Sequence, residues 1–108
     1  MFIDPVIDQI EAAKMIHADM IEIHTGEYAE ARTSRQRSKC LQHIASAARY
    51  AHDLGLTVNA GHGLHYDNIS GIKKITTIEE VSIGHAVIAH AVRVGLEQAV
   101  KELVRLVK

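Results

Sequence analysis

The chain has 108 residues, 47% of them hydrophobic, which suffices for one compact core and not for two. A formal net charge of -1 sets up no field that recruits nucleic acid or an anionic membrane, and neither a basic leader nor an apolar run of membrane-spanning length is present. The single cysteine, Cys40, excludes an internal disulfide and a C-x-x-C motif, so a reducing compartment, the cytoplasm, is expected.

Phe2-Ile3-Asp4 reads as the tail of a strand, as if the chain opens inside an element and is truncated at its N-terminus. Asp4-Pro5 then predicts a helix start, an N-cap acceptor followed by proline at the first helical position. Val6, Ile10 and Ala13 recur at helical spacing up to about His17, after which Met20-Ile21-Glu22-Ile23-His24 alternates as a strand does. Beyond a turn at Thr25-Gly26, a polar stretch leads into a long helix with the apolar stripe Leu41, Ile44, Ala48 and Ala51, closed by Gly55. Leu56-Thr57-Val58 predicts the next strand. A glycine-rich loop through His65 precedes a helical piece with Ile69, Ile72 and Ile75 on one face, then the strand Val81-Ser82-Ile83. One last helix is predicted from about Ala86, with Val92, Leu96, Ala99 and Leu103 turned inward.

Strands and helices thus alternate four times, which argues for an α/β fold with a parallel sheet and right-handed crossovers. Four βα units make either a small open sheet or half of an eight-unit barrel of about 250 residues, and length alone does not choose.

Glu22, His62 and Gly84-His85 fall at or near the C-terminal ends of three successive strands, so a parallel sheet brings them to one rim. A carboxylate and an imidazole facing one cavity are able to divide acid and base roles, which makes proton transfer the natural task. The bland alternative is that both merely satisfy buried polar groups. Gly61, Gly63 and Gly84 let backbone N–H groups approach an anion, and Gly84 immediately precedes the last helix, so a phosphate cup stands beside the plainer reading of tight turns.

Eight histidines also invite a metal reading, in which Glu22, His24, His62 and His85 form an oxygen-and-nitrogen site. Against it, adjacent strand residues alternate faces and no H-x-x-x-H or H-E-x-x-H helix motif appears, so no metal is expected. His17, His43 and His52 read as helix-surface residues, and His65 and His90 as loop or packing residues. Arg32, Arg35, Arg37 and Lys39 form a basic run without an interleaved aromatic, so they read as a solvated helix entry rather than a platform for bases. Cys40, next to the apolar Leu41, reads as structural.

Four stretches together carry a resemblance. They are Phe2-Ile3-Asp4; Ile21-Glu22-Ile23-His24-Thr25-Gly26-Glu27-Tyr28-Ala29; Val58-Asn59-Ala60-Gly61-His62-Gly63-Leu64 with Tyr66 and Asn68; and Ile83-Gly84-His85-Ala86-Val87-Ile88. In these residues and their spacing the chain resembles the pyridoxine 5′-phosphate synthase family along essentially its whole length. The resemblance covers only the C-terminal half of that family's (β/α)₈ barrel. It implies that residues 1–108 form a single (β/α)₄ half-barrel with no metal or organic cofactor. The implied reaction condenses 3-amino-2-oxopropyl phosphate with 1-deoxy-D-xylulose 5-phosphate, releasing phosphate and water.

By motif, His62 resembles the family's proton donor and Glu22 its transition-state-stabilising carboxylate, while Gly63, Gly84 and His85 match positions binding the amino-ketone phosphate. The family's general bases and its second phosphate site lie on strands for which this sequence has no positions. The chain alone is therefore expected to be inactive or nearly so, since groups that act as a unit do not contribute additively. Exposed sheet edges lead to a further expectation, that it self-associates into a homo-oligomer or docks on a separate N-terminal half.

Overall fold

The computed structural model describes residues 2–107. Four strands, β1 (Phe2–Ile3), β2 (Met20–His24), β3 (Thr57–Gly61) and β4 (Glu80–Ser82), form one parallel sheet in the order β1-β2-β3-β4. The helices are α1 (Ile7–Met15), α2 (Gly26–Glu30), α3 (Ser34–Asp53), α4 (Ile69–Lys73), α5 (His85–Val94) and α6 (Leu96–Val107). The parallel α/β class expected from the sequence is met.

Register divides the sheet into two unlike faces, because successive side chains in a strand point to opposite sides. Ile3 pairs with Ile23, Ile23 with Ala60 and Ala60 with Val81. That row faces the helices, and with Ile21 and Val58 it joins Ile10 of α1, Ile44 and Ala48 of α3, and Ile69 and Ile72 of α4 in one core. The alternate positions, Phe2, Met20, Glu22, His24, Asn59, Gly61, Glu80 and Ser82, share the opposite face. Phe2 and Met20 remain 54% and 48% exposed there, although a parallel sheet is ordinarily covered on both faces. The molecule measures 44 × 30 × 19 Å, and its 14.3 Å radius of gyration exceeds the value of about 13 Å expected for this length.

The helices depart from expectation in three places. Helix α1 begins at Ile7 and not at Asp4-Pro5, because the Asp4 carbonyl is engaged at 2.7 Å by the Val6 N–H in a tight turn. Residues 26–30, read as part of a polar stretch, form α2, whose Tyr28 is buried. The last helix is two helices. At Gly95 the backbone takes φ 89°, which breaks the phase of the apolar stripe and leaves Val92 and Leu96 85% and 59% exposed, while Ala99 is buried. His90 of α5 and Glu102 of α6 bond across this break. By contrast, α3 keeps its predicted stripe, with Ile44, Ala48 and Ala51 buried and Gly55 following at φ 86°, and the structure adds a cap, Thr33 Oγ1 accepting the Gln36 N–H at 3.1 Å.

Candidate functional site

The C-terminal ends of β2, β3 and β4 and the start of α5 build the site. Pairing sets His24 beside Gly61 and Gly61 beside Ser82, so these three occupy one face and one level of the sheet. Glycine at the middle strand matters here. A Cβ on Gly61 would stand 2.9 Å from Glu22 Oε2 and 3.1 Å from Ser82 Cβ, so the absent side chain leaves the space the carboxylate occupies. Glu22, half-buried on β2, thereby reaches across β3 to β4, where Ser82 Oγ donates to its Oε1 at 2.9 Å.

At the next level β3 leaves the sheet. His62 takes φ 93° and Gly63 φ 73°, two successive residues in the region that suits glycine. The His62 ring is exposed and stacks on His24, with ring centroids 4.3 Å apart and planes 25° apart. Phe2 lies against the same His24, at 5.0 Å, so a row of rings crosses the ends of β1, β2 and β3. His24 Nδ1 accepts the Gly26 N–H at 3.1 Å, which in a neutral ring puts the proton on Nε2.

His62, Gly63, Leu64, His65, Ser82, Gly84 and His85 border a cleft of about 560 Å³. The sequence-predicted residues His62, Gly63, Gly84 and His85 thus meet in one concavity. Glu22 lies beneath its wall, bonded to Ser82 rather than to an imidazole. Gly84 is the N-cap of α5, and a Cβ built on it would meet nothing within 4 Å, so the cleft is open at that point. The first amides of a helix lack intrahelical acceptors, and together with the positive end of the helix dipole they favour an anion.

Sequence reasoning missed four participants. Ser82 holds Glu22; Thr25, read as a turn residue, is fully buried beneath His62; Asn68 closes the loop over residues 63–68; and Asn59 is buried, with no hydrogen-bond partner for its Oδ1 among the described residues. Thr25, Asn59 and Asn68 stand within the stretches that carry the family resemblance, but no local pattern marks the bonds they make. His65 and Asn68 also border a second cleft, of about 420 Å³, with Tyr28, Arg37 and Lys74. His90 bonds to Glu102 and packs on Tyr66. Among the described residues no group of three or more His, Cys, Asp or Glu side chains is disposed to hold a metal ion, so Glu22, His24, His62 and His85 do not form the metal set considered from sequence.

Residues 1–108 match the family model described as Pyridoxal phosphate biosynthesis protein PdxJ. Similar curated proteins named pyridoxine 5′-phosphate synthase include one from Trichlorobacter lovleyi, 50% identical over 108 residues, which are 100% of this chain and 45% of that protein. One from Coxiella burnetii is 51% identical over 107 residues, covering 99% of this chain and 45% of that protein. Another, from Pelodictyon phaeoclathratiforme, is 51% identical over 108 residues, or 100% and 46%. The chain spans about half the length of the curated relatives it matches.

Proposed function

The chain belongs to the PdxJ family of pyridoxal phosphate biosynthesis proteins, and from that premise we propose that it supplies the C-terminal half of a pyridoxine 5′-phosphate synthase. In this reading it is a (β/α)₄ half-barrel whose open sheet face is the inner wall of a (β/α)₈ barrel. The reaction is condensation of 3-amino-2-oxopropyl phosphate with 1-deoxy-D-xylulose 5-phosphate, with loss of phosphate and water. The supporting observation is the meeting of His62, Gly63, Gly84 and His85 in one cleft, with Glu22 fixed below it.

Each residue has a task that its surroundings suit. Gly63, Gly84 and His85 bind the phosphate of the amino-ketone, through backbone N–H groups and the first turn of α5. His62, exposed above them, donates a proton to a departing oxygen. Glu22, aimed by Ser82, places its carboxylate where positive charge develops in the transition state. No cofactor enters this scheme, so positioning and proton transfer carry the chemistry. A reducing, cytoplasmic setting suits a chain whose one cysteine, Cys40, is free.

In this reading the family's remaining strands are supplied by further sequence of the same polypeptide, by a separate complementary half or by a second copy of this chain. The unpaired edges of β1 and β4 favour such pairing. So does the apolar groove of Val81, Ile83, Leu103, Val104 and Val107 beside β4.

Calorimetric titration of the chain with 3-amino-2-oxopropyl phosphate, alongside a Gly84→Asp variant and a turnover assay, tests the reading. Binding that Gly84→Asp weakens at least about tenfold, without turnover by the chain alone, is expected, since a carboxylate at the cup repels the phosphate. Turnover should appear when the chain is mixed with the segment of a curated relative that it does not cover. Equal binding by parent and variant would remove the cup. Binding without turnover in the mixture would favour a non-catalytic phosphate-binding module instead.

A further inference from the structure

Two buried polar side chains under the cleft have no task in the reaction as proposed. Thr25 is 0% exposed, with its Oγ1 at 2.9 Å from the Gly61 carbonyl and 2.7 Å from the His62 carbonyl. Its own N–H donates to the Gly61 carbonyl at 2.9 Å. Asn68 is 8% exposed; its Nδ2 donates to the Gly63 carbonyl at 3.1 Å and its Oδ1 accepts the His65 N–H at 2.7 Å. Behind it, the Tyr28 hydroxyl donates to the Asn68 carbonyl.

A trans peptide points its N–H away from its C=O. Anchoring the His62 carbonyl on Thr25 therefore sets the direction of the Gly63 N–H. Anchoring the Gly63 carbonyl on Asn68 sets that of the Leu64 N–H in the same way. Gly63 and Leu64 both border the cleft, and both peptides belong to the short stretch where φ is 93° at His62 and 73° at Gly63. Ala29 of α2 closes the remaining side, since a Cβ on Gly63 would lie 2.6 Å from its Cβ.

We propose that Thr25 and Asn68 are positioning residues which, by gripping the carbonyls of His62 and Gly63, preform the backbone amides at Gly63 and Leu64 for a phosphomonoester. The proposal rests on the phosphate-cup reading above and adds to it the source of the cup's order. Donors held in place before the ligand arrives spend no binding energy on reorganisation. Removing the grip should therefore weaken anion binding while leaving the sheet intact.

The test is a titration of the ¹⁵N-labelled chain with inorganic phosphate, following the amides of Gly63, Leu64, Gly84 and His85, with Ile23 and Val58 as reporters of the sheet. Thr25→Val keeps the shape and deletes the hydroxyl; it should raise the phosphate Kd about tenfold, the worth of one buried hydrogen bond. Thr25→Ser restores the oxygen and should restore the affinity, which a merely structural role for the side chain does not require. Asn68→Ala should shift the Leu64 amide and weaken binding similarly. If Thr25→Val does not fold, Asn68→Ala decides alone, and an unchanged Kd in it overturns the proposal. Parent binding with equal affinity in Thr25→Val or in Asn68→Ala defeats the positioning role and leaves the cup standing. No phosphate-induced shift in the parent defeats the cup itself, and the positioning role with it.

Discussion

Glycines 63 and 84 look alike in the sequence, each flanking a histidine at a strand end, yet they answer to different constraints. Gly63 has φ 73° and Ala29 Cβ within 2.6 Å of where its Cβ would be, whereas nothing lies within 4 Å of the corresponding point on Gly84. Gly63→Ala is expected to destabilise the chain by about 1–3 kcal/mol through backbone strain and the clash, whereas Gly84→Ala stays within about 0.5 kcal/mol. Urea unfolding of the two variants checks the contrast. Tyr28 carries a second residue-scale expectation. Burial raises the pKa of its phenol above the usual 10.0, partly offset by the nearby Arg37 guanidinium. The unfolded chain then releases the phenolic proton at lower pH than the folded one, so this stabilisation is full below pH 10 and fades as pH rises through the folded pKa. Tyr28→Phe should lower stability near neutral pH by about 1–2 kcal/mol, through loss of the hydrogen bond to Asn68, and flatten the alkaline decline. Urea midpoints measured between neutral and alkaline pH read both effects.

Most elements were legible because their signals are local. Strand β2 alternates residue by residue, and α3 carries an apolar stripe and a terminating Gly55. The break between α5 and α6 escaped notice, since the apolar spacing of Val92, Leu96, Ala99 and Leu103 fits one continuous helix as well as two. Gly95 at φ 89° decides the matter, and the bond from His90 to Glu102 holds the two pieces together. Space does not limit a side chain at Gly95, for nothing lies within 4 Å of its Cβ position. Gly95→Ala should nonetheless cost about 1 kcal/mol, from φ alone. A thermal unfolding shift with an unchanged helical circular dichroism signal checks it. Hydrogen bonds from Gln98 and His90 hold the Glu102 carboxyl below its usual range, so their contribution is present above the unfolded carboxylate pKa and lost as pH falls through the folded one.

At the scale of the whole molecule, the uncovered sheet face is the dominant feature. It joins half-exposed Phe2 and Met20 to polar side chains, and among the described residues both outer strands have an unpaired edge. Further apolar surface lies on the helices, where Ile88, Val92 and Leu96 are 63%, 85% and 59% exposed. Surface of this kind drives association. The chain is expected to show concentration-dependent oligomers by light scattering across the micromolar range, and addition of the complementary segment of a relative should compete with them. A monodisperse monomer throughout would contradict this.

The sequence by itself determined the alternation of strands and helices, the parallel class, and the placing of His62, Gly63, Gly84 and His85 just beyond strand ends, whereas Glu22, expected at or near such an end, is the middle residue of β2. Those follow from periodicity and from glycine and histidine punctuation, which act over a few residues. Only the tertiary structure decided how these residues are used. Glu22 engages Ser82 because register sets Gly61 between them, and His62 stacks on His24 because both stand at the ends of paired strands. Thr25 and Asn68 grip the loop through carbonyls, which every residue possesses and no sequence pattern marks. Side chain to backbone bonds between separate segments depend on where the fold brings the main chain, and that is set by packing of the whole sheet rather than by any local run of residues.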